Sequence, residues 1–120
     1  MKGYLFLEYP ACGTCRKTKK WLDEQKVDYT NRHIVEERPT CEELKIWFER
    51  SGLPLRKFFN TSGLLYKSMQ LKEKLDGMSE EKQLELLASD GKLVKRPLVI
   101  GEDFVLVGFK PEEWEKVLLK

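Results

Sequence analysis

The sequence has little of three features that would assign it to a specialised class: long apolar runs, paired cysteines and excess charge of one sign. No apolar run approaches the roughly 18 residues that a membrane-spanning helix requires. Three cysteines in 120 residues do not form the even set of a small secreted disulfide protein, so we expect a reducing cytoplasm. A formal net charge of +2 is smaller than nucleic-acid-binding domains usually carry. These absences predict a cytoplasmic protein that neither enters a membrane nor contacts nucleic acid directly.

The first third of the chain predicts a strand, a helix and a second strand. The short apolar run at 4–7 is typical of a strand buried on both faces of a sheet. After the loop, Cys15, Thr18, Trp21 and Leu22 recur at the spacing of one helical face. The β-branched and aromatic segment at 27–35 predicts the second strand. Two strands joined by a helix are expected to be parallel.

The remainder of the chain predicts several helices followed by a hairpin and a last helix. Residues 39–91 predict four helices: one from a capping box at Thr40 and Glu43 to Gly52, a short one at 54–59, a weaker one that ends near Gly77, and one from Ser79 to the stop at 89–91. Strand character returns at 97–109 with a turn in its middle, which is typical of a hairpin. The last helix is expected to begin at Pro111.

This order of elements predicts the α/β fold class and a thioredoxin-like fold with a glutaredoxin-like mixed sheet. We expect one domain over 1–120, since apolar residues make up 41% of the chain and no linker is visible. Its thioredoxin-like core would comprise 1–35 and 93–120. The segment 39–91 would be a helical insertion between the βαβ and ββα halves.

The segment "ACGTCRKTKK" at 11–20 is the strongest candidate for chemistry. Cys12 is predicted at the start of the first helix, where free N–H groups and the helix dipole lower a thiol pKa. Cys15 lies one turn further on the same face, within reach for a disulfide. One thiol could therefore attack and the other resolve the mixed disulfide. Four cations follow in the first two turns, where stability alone would favour acids, and we expect their field to favour a thiolate: Arg16, Lys17, Lys19 and Lys20.

Two other interpretations of the cysteines stay open at this point. Cys12, Cys15, His33 and Cys41 are a set that zinc accepts, although their spacing does not match two short knuckles. Alternatively, the cysteines are inert and the basic run is a solvated helix face. Cys41, in the first turn of another predicted helix, is a weaker candidate for the resolving thiol.

Four segments carry a resemblance to a known family. They are "YPACGTCRKTKKWL" at 9–22, "GLPLRKFFNTSG" at 52–63, "LLASDGKLVKRPLVI" at 86–100 and "VLVGF" at 105–109. With them the chain resembles the arsenate reductase (ArsC) and Spx family, and within it bacterial ArsC-like proteins with a CGTC loop. The resemblance covers nearly the whole chain and implies a thioredoxin-like fold with a helical insertion.

The resemblance implies roles for several residues and also shows departures. In the arsenate reductases, a loop cysteine attacks arsenate, three arginines hold the oxyanion, and glutathione and glutaredoxin complete the reduction. Cys12 matches that cysteine, and Arg96 matches one of the three arginines. The resemblance also implies a cis peptide bond between Arg96 and Pro97, with Pro97 facing the cysteine loop. Asn60 and Gly108 stand where the other two arginines are expected. Because bidentate arginine contacts make an oxyanion site strong, arsenate reduction is disfavoured.

With its second loop cysteine, the pair Cys12 and Cys15 resembles the cysteine pair of the Spx regulators. In those proteins the pair acts as a redox switch. Spx proteins bind the α-subunit of RNA polymerase. The segment 52–66 does not resemble the corresponding Spx stretch, so a redox-sensing regulator is the alternative function.

Our main hypothesis from the sequence is a thiol–disulfide oxidoreductase that needs no cofactor and no metal. We expect a monomer whose partner is a thiol or disulfide protein or glutathione, with the polymerase α-subunit as the alternative partner. The predicted catalytic residues are Cys12, Cys15 and Arg96, and the predicted substrate-binding residues are Thr14, Arg16, Asn60 and Pro97.

Overall fold

A four-stranded mixed sheet forms the centre of the structure, a computed structural model that describes residues 3–119. Residues 1, 2 and 120 of the predicted domain lie outside the described residues. The sheet has the strand order β2-β1-β3-β4. Its strands are β1 (Tyr4–Glu8), β2 (Tyr29–His33), β3 (Leu98–Ile100) and β4 (Val105–Val107).

The pairing of the strands confirms the predicted βαβ unit and hairpin. β1 pairs in parallel with β2, with Tyr4 opposite Tyr29. On its other side β1 pairs antiparallel with β3, where Leu7 lies opposite Leu98, and β3 pairs antiparallel with β4. β3 begins one residue later than predicted, at Leu98, which agrees with the lack of an N–H on Pro97 to donate to the ladder.

Six α-helices and three short 3₁₀ turns surround the sheet in residues 3–119. None of these helices has the length and apolar character needed to cross a membrane. The helices are α1 (Gly13–Glu24), α2 (Cys41–Ser51), α3 (Leu64–Ser68), α4 (Leu71–Lys74), α5 (Glu80–Ser89) and α6 (Pro111–Leu118). The 3₁₀ turns are Leu55–Phe58, Leu75–Gly77 and Gly91–Leu93.

The ends of α2 show why this helix was predictable. The Thr40 hydroxyl accepts a hydrogen bond from the Glu43 N–H (3.1 Å), and the Glu43 carboxylate accepts one from the Thr40 N–H (3.0 Å). This is the predicted capping box. Gly52 follows the last residue with φ +69°, a left-handed conformation that glycine adopts without strain.

The two faces of the sheet bury different clusters, because successive side chains of β1 point to opposite sides. Phe6 and Leu7 are neighbours in the sequence, and both are 0% exposed. The Leu7 face packs against the insertion helices, whereas the Phe6 face packs against α1 and α6. The second cluster consists of Phe6, Leu22, Val99, Leu106 and Trp114, with other aromatic side chains around it. The loop that leaves β1 therefore emerges between the two layers.

Candidate active site at the cysteine loop

The loop between β1 and α1 places Cys12 at the first turn of the helix. Cys12 is the N-cap residue, with extended backbone angles (φ −85°, ψ 123°). Its N–H donates to the Tyr9 carbonyl at 2.9 Å, which closes the loop, and its carbonyl accepts from the Arg16 N–H at 3.1 Å. The Cys12 side chain therefore lies at the positive end of a 12-residue helix, as the sequence predicted.

The pKa of the Cys12 thiol is lowered from its ordinary value. Partial burial acts in the opposite direction, but hydrogen bonds to the thiolate outweigh it. These come from the N–H and thiol of Cys15, the Arg96 side chain and the Thr14 N–H. Cys12 is therefore the thiol that ionises first.

Cys15 has the opposite environment. It is 0% exposed, and the Tyr9 N–H donates to its sulfur at 3.4 Å. Burial raises the pKa of the Cys15 thiol to about 12, and the neighbouring Cys12 adds to the effect. Cys15 therefore keeps its proton at neutral pH. All three cysteines of the chain are free thiols in this structure.

Arg96 approaches Cys12 from the segment before β3. The Arg96–Pro97 peptide bond is cis, as the resemblance implied. The guanidinium carbon lies 4.8 Å from the centre of the Tyr9 ring, within the range of a cation–π contact. Arg96 thus lies over Tyr9, and its side chain is one of the causes that lower the pKa of Cys12.

Cys12 lines a cleft of about 870 Å³. Among the predicted site residues, Cys12, Thr14, Asn60 and Arg96 line this cleft together. No Asp or Glu is among the described residues that line it. Five of its lining side chains are cations: Lys57, Lys92, Lys95, Arg96 and Lys110.

The other predicted site residues lie outside the cleft. Pro97 and Cys15 are both buried, and neither lines the cleft. The Arg16 guanidinium donates to the Pro10 carbonyl at 3.0 Å and so holds the loop rather than lining the cleft. Of the basic run in α1, no residue lines the cleft; the three lysines are exposed to solvent.

Cys41 and His33 do not form a metal-binding cluster with Cys12 and Cys15, which the zinc interpretation would require. Cys41 lines a separate cleft beside Arg32 and Arg38. The Nδ1 of His33, at the end of β2, accepts N–H groups of the following turn at 3.1–3.2 Å. Within residues 3–119, no three His, Cys, Asp or Glu side chains are grouped so that they could hold a metal ion.

Asn60 and Gly108 have structural roles where the resemblance expects arginines. The Asn60 N–H donates to the Leu93 carbonyl at 2.8 Å, and its amide Nδ2 lies 3.5 Å from the Lys92 carbonyl. Gly108 has φ +74°, and a side chain there would meet Lys95 at 3.2 Å from its Cβ. Both positions thus shape the cleft wall instead of contributing charge.

Sequence reasoning missed Tyr9 and the lysines of the cleft. Tyr9 and Lys57 lie in segments that carry the family resemblance, and so does the pair Lys92 and Lys95. With Lys110 they come from four separate segments, so their pattern in the sequence gives no sign that they converge. The one signal available in the sequence was that Lys92 and Lys95 are close neighbours of Arg96 along the chain.

The geometry defines a class of protein: a thioredoxin-like α/β fold in which a Cys-x-x-Cys helix start adjoins a cis-proline. The sequence pattern of the ArsC family matches residues 7–117. The chain therefore belongs to the ArsC family.

Known relatives agree with this assignment. "Uncharacterized protein YusI" of Bacillus subtilis (strain 168) is 57% identical over 111 residues, covering 92% of this chain and 94% of that protein. "Regulatory protein MgsR" of the same organism is 32% identical, covering 96% and 90%. "Global transcriptional regulator Spx 2" of Bacillus anthracis is 27% identical, covering 90% and 81%. The crystal structure of an ArsC family related protein from Bacteroides fragilis superposes with a TM-score of 0.93 at 64% identity, covering 97% and 98%.

Proposed function

We propose that this ArsC family member is a thiol–disulfide oxidoreductase in which Cys12 attacks and Cys15 resolves. The observation that carries the proposal is the opposite environment of the two thiols. The pKa of Cys12 is lowered by hydrogen bonds although burial opposes this, whereas burial raises the pKa of Cys15 to about 12. A thiolate is the attacking species in disulfide exchange, and a protonated second thiol does not compete with it.

The reaction transfers two electrons from the pair to a substrate disulfide. The Cys12 thiolate attacks one substrate sulfur, so that a mixed disulfide forms and the other substrate sulfur leaves as a thiolate, which takes up a proton. Cys15 then loses its proton and attacks the Cys12 sulfur. The Cys12–Cys15 disulfide forms and the second substrate thiol is released. A thiol reductant from solution, a low-molecular-weight thiol or a dithiol protein, restores the reduced pair.

The remaining predicted site residues have supporting roles in this proposal. Arg96 stabilises the thiolate, and Thr14 contributes its N–H to the same sulfur. Arg16 holds the loop through the Pro10 carbonyl. Asn60 shapes the facing wall, and Pro97 orients Arg96. The odd number of cysteines supports a location in a reducing compartment such as the cytoplasm.

A test of the proposal is the ionisation of each thiol in single variants. In Cys15→Ser we expect Cys12 to titrate below the reference thiol pKa of about 8.5, as measured by thiolate absorbance. In Cys12→Ser we expect Cys15 to remain protonated well above that value. In the unaltered chain, a mild thiol oxidant such as diamide should take two electrons from the pair and convert it to an intramolecular disulfide. If Cys12 titrates at the reference value and no disulfide forms, the proposal is wrong.

A redox-responsive regulator is the second candidate, because a relative of this length at 32% identity is named a regulatory protein. By the Spx resemblance, its partner would be the α-subunit of RNA polymerase. The two functions differ in a pull-down with the C-terminal domain of that subunit. A complex that forms with only one redox state of the pair would favour the regulator, whereas turnover of disulfides without a complex would favour the oxidoreductase.

Arsenate reduction has less support from this cleft. Arg96 matches one of the three arginines that the resemblance expects, while Asn60 and the left-handed Gly108 occupy the other positions. We expect no arsenate turnover in the presence of excess glutathione and glutaredoxin.

A further inference from the structure

The charge in the cleft is far more positive than the charge of the whole chain. Five cations line it, whereas the formal net charge of the chain is +2. Within the described residues, none of the five is paired with a carboxylate. Unpaired cations around a concave surface attract an anionic ligand, and the low-dielectric walls of a cleft strengthen the effect.

The rim of the same cleft also exposes apolar surface. Leu64, the first residue of α3, is 86% exposed, and Leu53 is 36% exposed. Both line the cleft that contains Cys12. An exposed apolar side chain of this size beside a reactive thiol offers a contact that a polar small molecule would leave uncovered.

The number of cations in the cleft distinguishes a small thiol such as glutathione from a protein segment as the substrate. A tripeptide thiol such as glutathione has two carboxylates and no large apolar group. The cations come from three separate segments, which contribute Lys57, the stretch 92–96 and Lys110. A ligand that meets all five cations and Leu64 at once therefore needs more acidic groups than this tripeptide has, and an apolar group as well.

We propose that the cleft recognises an extended segment of a partner protein whose disulfide-bonded cysteine has acidic neighbours and an adjacent apolar side chain. The inference rests on the proposed oxidoreductase function and specifies its substrate. Acidic side chains would pair with the lysines, and the apolar side chain would cover Leu64. The cysteine sulfur would then lie at Cys12, where the two-electron exchange described above takes place.

The experiment compares acidic, neutral and basic peptides of equal length, each with one cysteine held as a mixed disulfide with 2-thiopyridine. Attack by Cys12 on the peptide sulfur releases thiopyridone, whose absorbance reports the rate of a single turnover of the pre-reduced chain, with every other thiol removed beforehand. At low ionic strength we expect the acidic peptide to react roughly tenfold faster than the basic one. At about 1 M salt this preference should largely disappear, because the charges are then screened.

Matched variants test which residues create the preference. In Lys57→Glu combined with Lys92→Glu, the acidic peptide should no longer react faster than the neutral one. The control, Lys45→Glu combined with Lys72→Glu, changes the net charge equally at exposed lysines outside the cleft and should retain the ratio. Leu64→Ser should slow a peptide with an adjacent leucine, whereas Ile46→Ser, at a 51% exposed residue outside the cleft, should not.

The outcomes separate this inference from the proposed function. Equal rates for the three peptides, with the pair active, would overturn the acidic-segment proposal and leave the oxidoreductase proposal standing. The same holds if the mixed disulfide of glutathione with 2-thiopyridine, which has the same leaving group, reacts as fast as the acidic peptide. No exchange with any disulfide would instead refute the oxidoreductase proposal, and the inference would fall with it.

Discussion

Tyr9 contacts both the buried thiol and the arginine of the candidate site. Its N–H donates to the sulfur of Cys15, and its ring supports the guanidinium of Arg96. The ring also lies edge-on to His33, with the centroids 5.8 Å apart. The ionisation of the pair is therefore governed by close neighbours of the loop. The sequence had suggested the basic run of α1 for this role, but no residue of that run lines the cleft with Cys12.

The first prediction concerns Arg96. Arg96→Met removes a side chain that helps to lower the pKa of Cys12, so we expect that pKa to rise. Arg96→Lys keeps the charge and should raise it less. The pH dependence of iodoacetamide alkylation, measured in a Cys15→Ser background, reports both changes. Unchanged midpoints in both variants would show that Arg96 does not stabilise the thiolate.

Elements with strong local signals could be predicted from the sequence. The capping box of α2, the apolar run of β1 and the hairpin before α6 were all placed within one to two residues. α3 was not expected, because Gly63 and Leu64 carry no cap and its five residues have too short a pattern to recognise. Its position depends on tertiary packing, through the burial of Tyr66 against Phe59.

A second prediction tests the capping box of α2. Thr40→Ala removes the hydroxyl that accepts the Glu43 N–H, and we expect a loss of about 1 kcal/mol in the free energy of unfolding. The matched control is Thr61→Ala, at an exposed threonine in a loop. Urea denaturation of the two variants measures the difference. Equal stabilities would mean that α2 is held by its buried face alone.

At the scale of the molecule, the part of the site that depends on long-range assembly could not be predicted. The cysteine loop and Arg96 were recognised because each lies in a contiguous motif. The lysines of the cleft lie 45 to 98 residues from Cys12 in the sequence, and only the folded chain places Lys57 and Lys110 on one surface. No local periodicity encodes that convergence.

The third prediction concerns the pH dependence of stability in the reduced chain. The lowered pKa of Cys12 stabilises the folded state above the pKa of the unfolded thiol, about 8.5, and this contribution is lost as the pH falls through the folded value. The raised pKa of Cys15 acts oppositely: its contribution is complete below about 8.5 and is lost as the pH rises towards 12.

Urea denaturation under reducing conditions, over a pH series, checks these signs. Relative to the variant that lacks both thiols, Cys15→Ser should become more stable as the pH rises towards about 8.5. Cys12→Ser should become less stable above that pH. Parallel curves for the single and double variants would show that the thiols do not couple ionisation to folding.

The scattered origin of the cleft cations has a consequence for how the protein can evolve. Lys57, Lys92 and Lys110 belong to different connecting segments, and none of them is buried in the sheet or in the cysteine loop. Each can be exchanged without disturbing the redox pair or the two apolar clusters. If the chain has the proposed function, a lineage could therefore acquire a new client by altering one surface residue at a time, while the cysteine loop is inherited unchanged.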